Sequence, residues 1–202
     1  VYAAAFSRQD ALSLTVTFLA LMLVLTFLMI GSGPGAERER VSPMDWPLSV
    51  AAGTCGAYFL TRSDEIAQRI TLLDPLSPSD QWFSTLLIVL TLEAIRRTVG
   101  LGLTLIVIGF IAYNLFGHHL EGPLSHGVIT PGHFLDIIAF TTDGLFGVPL
   151  RVAATYAFLF VLFGTILAKT GGGDFFFNLA ASLTGRARGG PAKIAVSAAK
   201  IL

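Results

Sequence analysis

Charge is what this sequence has least of. Only 13% of its 202 residues are Asp, Glu, Lys or Arg, whereas a soluble domain carries about 25% because its surface must face water. The 13 basic and 13 acidic residues cancel, so there is no basic field to hold a nucleic acid. Cysteine occurs once, as Cys55, which excludes an internal disulfide and a cysteine-based zinc site. Set in the small-residue run Ala51-Ala52-Gly53-Thr54-Cys55-Gly56, it reads as a helix-packing residue. No Gly-Lys-Ser/Thr phosphate loop is present, and Gly171-Gly172-Gly173 follows an apolar helix rather than a strand. An ATP-driven motor is therefore not expected. Nor is there a Gly-x-Ser-x-Gly elbow to support a serine nucleophile.

What the sequence does have is apolar length: 53% of residues are hydrophobic and the mean hydropathy is +0.73. Residues 11–30 (ALSLTVTFLALMLVLTFLMI) carry no charge over about 20 residues, the length a helix needs to cross hydrocarbon. No basic region precedes them, so they read as a span rather than a signal peptide. Gly31-Ser32-Gly33-Pro34-Gly35 ends that span, and Glu37-Arg38-Glu39-Arg40 alternates in sign as a solvated loop does. Residues 46–60 form a shorter span that opens on Trp46, an interface anchor, and closes on Arg62, Asp64 and Glu65. Ile66, Ile70 and Leu73 recur at helical spacing among polar residues, the pattern of a segment lying on the membrane surface. Pro75 and Pro78 are expected to break the chain before residues 82–95 resume the apolar pattern behind Trp82.

Residues 101–116 give another span, entered through Gly100 and Gly102, and 117–132 a loop. Residues 133–142 have helical periodicity but are too short to cross, and Gly144, Gly147 and Pro149 interrupt the chain beyond them. Residues 151–169 form a further span stopped by Gly171-Gly172-Gly173, with Asp174 placed to cap the next, short apolar helix, 175–183. A basic turn, 185–190, leads to Pro191, which suits the first turn of one more helix. The fold class is thus all-α: a polytopic integral membrane protein with about four to five transmembrane helices plus short interfacial helices. Orientation is set by Lys and Arg, which stay cytoplasmic. Arg96 and Arg97 mark one helix end, while residues 117–148 contain neither Lys nor Arg. The histidine-bearing loop is then external, and 37–40 and 186–193 are cytoplasmic; Arg69 runs against the pattern.

Few side chains offer chemistry. Glu93 lies three and four residues before Arg96 and Arg97, which puts opposite charges on one helix face. An ionisable group at membrane depth marks either function or a paired anchor that sets helix depth. Asp143 sits beside Gly144 and Gly147 in a helix break, where a carboxylate can line an ion path or simply serve a turn. Arg151 opens its span, where it can snorkel to the interface. His118, His119, Glu121, His126, His133 and Asp136 gather in and after the external loop. They bear the donor types of a metal site, but glycines and prolines separate them and no His-x-x-x-His pair occurs. No metal or cofactor is expected, and no catalytic residue.

The order of motifs resembles the fused membrane component of tripartite ATP-independent periplasmic (TRAP) transporters, in the type served by TAXI binding proteins. The resemblance rests on Ser42-Pro43-Met44-Asp45-Trp46, on Leu92-Glu93-Ala94-Ile95-Arg96-Arg97-Thr98-Val99-Gly100 and on Thr141-Thr142-Asp143-Gly144-Leu145-Phe146-Gly147-Val148-Pro149-Leu150. It continues through Ala154-Thr155-Tyr156-Ala157-Phe158 and Leu183-Thr184-Gly185-Arg186-Ala187-Arg188-Gly189-Gly190-Pro191. Asp143 stands where the family usually has glutamate, and Arg151 where it has small or uncharged residues. The resemblance implies a small-subunit-like membrane domain over 1–125 and the beginning of a large permease domain over 126–202. It implies a periplasmic solute-binding protein and the rest of the large domain as partners, and location in a bacterial or archaeal cytoplasmic membrane. It further implies uptake of organic acids or related solutes driven by sodium or protons. Val1 to Phe6 match a stretch that follows an earlier membrane helix, and Pro191 opens a helix whose apolar run stops at Leu202, so the family's chain is expected to extend beyond both ends. The family's cation and substrate sites lie in segments this chain does not contain, so no substrate-binding residue is named. A structural membrane subunit and a membrane-embedded metal enzyme are the competing readings.

Overall fold

The computed structural model describes residues 11–31, 43 and 45–184, and every regular element among them is helical. In helix α1 (Ala11–Met29) the helix's own backbone receives the hydroxyls of Thr15 and Thr17. Thr15 Oγ1 donates to Ala11 O at 3.0 Å and Leu12 O at 2.9 Å, and Thr17 Oγ1 to Ser13 O at 2.7 Å. That self-sufficiency is what hydrocarbon demands of a polar group. Helices α2 (Asp45–Thr61), α3 (Ser63–Gln68) and α4 (Pro78–Thr98) come next. Pro78, expected to break the chain, instead starts α4. It occupies the first turn, where its missing N–H is not needed. Ser77 and Asp80 close a capping box, with Asp80 N donating to Ser77 Oγ at 3.2 Å and Ser77 N to Asp80 Oδ2 at 2.9 Å.

Gly100, at φ +108°, turns the chain from α4 into α5 (Leu101–Phe116) and a 3-10 turn (Gly117–His119). Helix α6 (Pro131–Ala139) is capped by Thr130, whose side chain accepts from His133 N at 3.2 Å. Helices α7 (Val148–Val152) and α8 (Phe158–Lys169) are joined by a π turn (Ala153–Ala157). Pro149 does not interrupt this run; it too sits in a first helical turn. Helix α9 (Gly172–Thr184) begins earlier than expected. Phe175 N already donates to Gly171 O at 3.0 Å, so Asp174 lies inside the helix rather than at its cap.

The described residues form two compact units, divided between Ala154 and Thr155. In the first, α1 packs along α2, α4 packs on both, α5 and α6 lie against α4, and α7 touches α1. Its core is built from Val16, Leu23 and Phe27 of α1, Cys55 and Phe59 of α2, Leu87 and Leu90 of α4, and Phe140 and Phe146. Cys55 is fully buried, as a packing residue should be. Helices α1 and α2 come into close contact at Gly56, where a Cβ would stand 2.3 Å from Ala20 Cβ; small residues at a crossing are how membrane helices pack. In the second unit α8 and α9 pack against each other. Among the described residues, three runs are long and apolar enough to cross a membrane: Ala11–Met29, Leu101–His119 and Val148–Lys169. The other two expected spans fall short, because α2 has 17 residues and α4 carries Asp80, Glu93, Arg96 and Arg97 within its 21. Helix α5 exposes Leu101, Leu105, Ile106, Phe110 and Phe116, an all-round apolar surface that suits lipid. The loop expected around Glu37–Arg40, the basic turn expected at 185–190 and the helix expected from Pro191 fall on residues outside those described.

Candidate functional site

Ionisable side chains gather at the two ends of the α2–α4 pair. At one end the last turn of α4 presents Glu93, Arg96 and Arg97 on one face, as the i, i+3 and i, i+4 spacing requires. Arg96 Nε and Nη2 donate to the two carboxylate oxygens of Glu93, each at 2.7 Å, and Arg97 Nε donates to Glu93 Oε1 at 2.7 Å. Arg97 reaches further than the sequence shows. Its Nη1 donates to Asp45 Oδ1 at 2.7 Å and to the Ile30 carbonyl at 3.2 Å, and its guanidinium lies 5.1 Å from the Phe27 ring centre. One side chain thus ties the end of α1, the start of α2 and the end of α4. The side chains of Arg97 and Asp45 are only 3% and 1% exposed, so the two opposite charges meet out of water, where pairing matters most.

The opposite end repeats the arrangement with other residues. Arg62, just after α2, donates through Nη1 to Asp80 Oδ1 at 2.7 Å, and Tyr58 Oη donates to the same oxygen at 2.7 Å. Ser77 Oγ donates to Asp80 Oδ2 at 2.7 Å, and Arg62 Nε lies 3.0 Å from Glu65 Oε2. From Asp45 to Arg62 is 17 positions, about 25 Å of helix. The two charged layers therefore frame an apolar zone close to the roughly 30 Å of bilayer hydrocarbon. Trp46 and Trp82 are exposed, one at each layer.

Of the other expected residues, Asp143 lies in the break between α6 and α7. The turn is tight there: a Cβ on Gly144 would stand 2.2 Å from the Ile138 carbonyl. Asp143 is exposed, and its N–H donates to Thr141 Oγ1 at 3.2 Å. It borders a cavity of about 670 Å³ that Arg69 also lines, separate from the Glu93 cluster. Arg151 is exposed in α7. Asp136 is buried and structural: its Oδ2 accepts from Leu72 N at 2.8 Å, fixing a turn in which Leu72 has φ +70°. His126 bonds backbone carbonyls of Tyr113 and Gly127, and the rings of His118 and His119 lie 3.9 Å apart. Among the described residues no three of His, Cys, Asp and Glu come close enough to hold a metal ion.

Sequence reasoning missed Asp45, Asp80 and Arg62 as partners. A capping signal at Ser77-Pro78-Ser79-Asp80 could have revealed Asp80, but nothing local to Asp45 reveals Arg97.

No curated protein and no solved structure matches this chain. The family model for the DctM component of tripartite ATP-independent periplasmic transporters matches residues 86–202. That match begins in α4 ahead of Glu93 and covers 117 of 202 residues. With helices whose apolar faces suit a bilayer and charges confined to their ends, the chain belongs to the DctM-component family, the membrane component of tripartite ATP-independent periplasmic transporters.

Proposed function

We propose that this chain is a multi-pass part of the permease of a binding-protein-dependent, ion-gradient-driven transporter of the TAXI type, in the cytoplasmic membrane. It serves uptake of organic acids or related solutes, with sodium or protons as the coupling ion. Residues 1–125 act as the small-subunit-like static domain and 126–202 as the beginning of the large domain. The family match supports the second assignment and reaches into the first, since it starts at residue 86. The observation that carries the static role is the α2–α4 pair locked at both ends, by Arg97–Asp45 and by Arg62–Asp80. A moving element needs an interface that can slide, whereas these helices are pinned in depth and register. On this reading α2 and α4 also cross the bilayer, with their charges in the two interfacial layers and Glu93 a depth-setting anchor. The test uses membrane vesicles from cells making the transporter that contains this chain. Uptake of a labelled organic acid should require both the cognate binding protein and an imposed sodium or proton gradient. Uptake that persists without either would sink the reading.

A further inference from the structure

The described residues that line the cavity beside Asp143 all belong to the first unit, and Ile66 and Ala67 of the short helix α3 are among them. Its volume, about 670 Å³, lies within the range of roughly 300–1,000 Å³ typical of ligand pockets. Its lining is mixed in kind: Ile66, Ile137 and Phe140 are apolar, and Arg69, Thr71 and Asp143 are polar.

Arg69 is incompletely satisfied by the protein. Its Nη2 donates to the Asp74 carbonyl and stands 3.5 Å from Asp136 Oδ1, with the arginine side chain 14% exposed. That separation is too long for a good hydrogen bond. Nε of Arg69 and Oδ1 of Asp136 are both buried without a hydrogen-bond partner among the described residues. The guanidinium is held in place over the Phe140 ring, 5.3 Å from its centre. Buried donors of this kind are normally paired. Asp143 adds an exposed carboxylate to the same lining, so the cavity is bordered by a guanidinium only loosely matched by Asp136 and by a solvent-facing anion. A purely anionic ligand would meet Arg69 but be repelled by Asp143. A zwitterion satisfies both, and the apolar lining residues call for hydrocarbon beside it.

We propose that this cavity binds the phosphoethanolamine headgroup of a bilayer lipid, with Arg69 receiving the phosphate and Asp143 the ammonium. Ile66, Ile137 and Phe140 receive the first methylenes of the acyl chains. The proposal rests on the reading of the helix ends at Arg62 and Asp80 as a membrane interface. It does not depend on transport, so its failure would leave the permease reading untouched.

The test is lipid retention by the full chain, purified in detergent and stripped of lipid, read by native mass spectrometry and by thermal midpoint. Short-chain phosphatidylethanolamine should be held roughly tenfold more tightly than phosphatidylcholine, whose methylated nitrogen has no N–H for Asp143, or phosphatidylglycerol. Asp143→Asn should abolish that preference while the lipid-free midpoint stays put, because the side chain is exposed. Arg69→Gln should weaken retention of all three lipids. Equal retention of the three by the unaltered chain would overturn the proposal, as would an ethanolamine preference that survives Asp143→Asn. Water-soluble glycerophosphoethanolamine competing as well as the lipid would overturn the lipid as the source.

Discussion

Arg97 and Asp45 meet at 2.7 Å across 52 positions of sequence, both almost wholly buried. Removing Asp45 leaves the buried Arg97 guanidinium to share Glu93 with Arg96, so the loss approaches the roughly 3–5 kcal/mol of breaking a buried pair without leaving the charge wholly uncompensated. Asp45→Asn should therefore lower the unfolding free energy of the chain in detergent by several times the loss from Glu93→Gln. Glu93 is 24% exposed, and loss of its charge should cost on the order of 1 kcal/mol, as for pairs that water still reaches. Arg97→Lys should not rescue, because an ammonium cannot serve Glu93, Asp45 and the Ile30 carbonyl with one planar fork. Denaturant titrations of the three variants check the order. A Glu93 variant that folds normally but loses cation coupling in the intact transporter would replace the anchor role with a transport role.

The α1–α2 crossing makes a second prediction by contrast of two glycines one helical turn apart. A Cβ on Gly56 would stand 2.3 Å from Ala20 Cβ, whereas one on Gly53 would find its nearest neighbour, Val24 Cγ2, at 4.0 Å. Gly56→Ala should destabilise by about 1–3 kcal/mol, the usual cost of overpacking, while Gly53→Ala should be neutral or mildly stabilising. The double variant Gly56→Ala/Ala20→Gly should recover most of the loss. Thermal midpoints in one detergent decide it; equal sensitivity at Gly53 and Gly56 would mean the crossing lies elsewhere.

These two sites show where sequence is legible and where it is not. Glu93 with Arg96 and Arg97 can be read directly, because helical spacing alone brings them together and no tertiary knowledge is needed. Asp45 cannot, since its partner comes from a helix two elements later and a single aspartate before a tryptophan looks like any helix start. Pro78 and Pro149 are misread as breaks for a related reason: proline stops a helix from within but suits its first turn, and only the neighbouring cap residue separates the cases. The three long apolar runs are plain from composition. Helices α2 and α4 are harder, since their end charges lower the apolar signal and only the structure shows those charges paired with one another.

Topology can be checked with thiol labelling, because Cys55 is the sole cysteine and is buried. In a Cys55→Ala background, cysteines placed at Ser125 and Val99 occupy exposed positions beyond opposite ends of α5. The absence of Lys and Arg from residues 117–148 puts Ser125 outside. A membrane-impermeant maleimide should label Ser125→Cys in intact cells and Val99→Cys only after the membrane is opened. Labelling of Val99→Cys alone would invert the orientation.

The loop after α5 should respond to pH through His126. Its Nδ1 lies 2.7 Å from the Gly127 carbonyl and its Nε2 3.0 Å from the Tyr113 carbonyl. Two acceptors can both be satisfied only if both ring nitrogens carry protons, so these backbone bonds raise the imidazole above its ordinary value of 6.5. Tyr113 fastens the same loop a second time, its hydroxyl donating to the Leu124 carbonyl at 2.8 Å. Gly117 leaves the room: a Cβ there would come within 2.3 Å of His126 Nε2. His118, His119 and Glu121 are the other titratable groups of this turn and loop. Because the folded value is raised, the stabilisation is fully present below 6.5 and is lost as pH climbs through the folded value. Amide exchange in residues 120–130 should therefore be slower, relative to an unstructured peptide of the same sequence, at pH 5.5 than at pH 8.5. His126→Gln, which cannot donate to both carbonyls in the same geometry, should remove that difference. A pH dependence that persists in the variant would rule out His126 as its source.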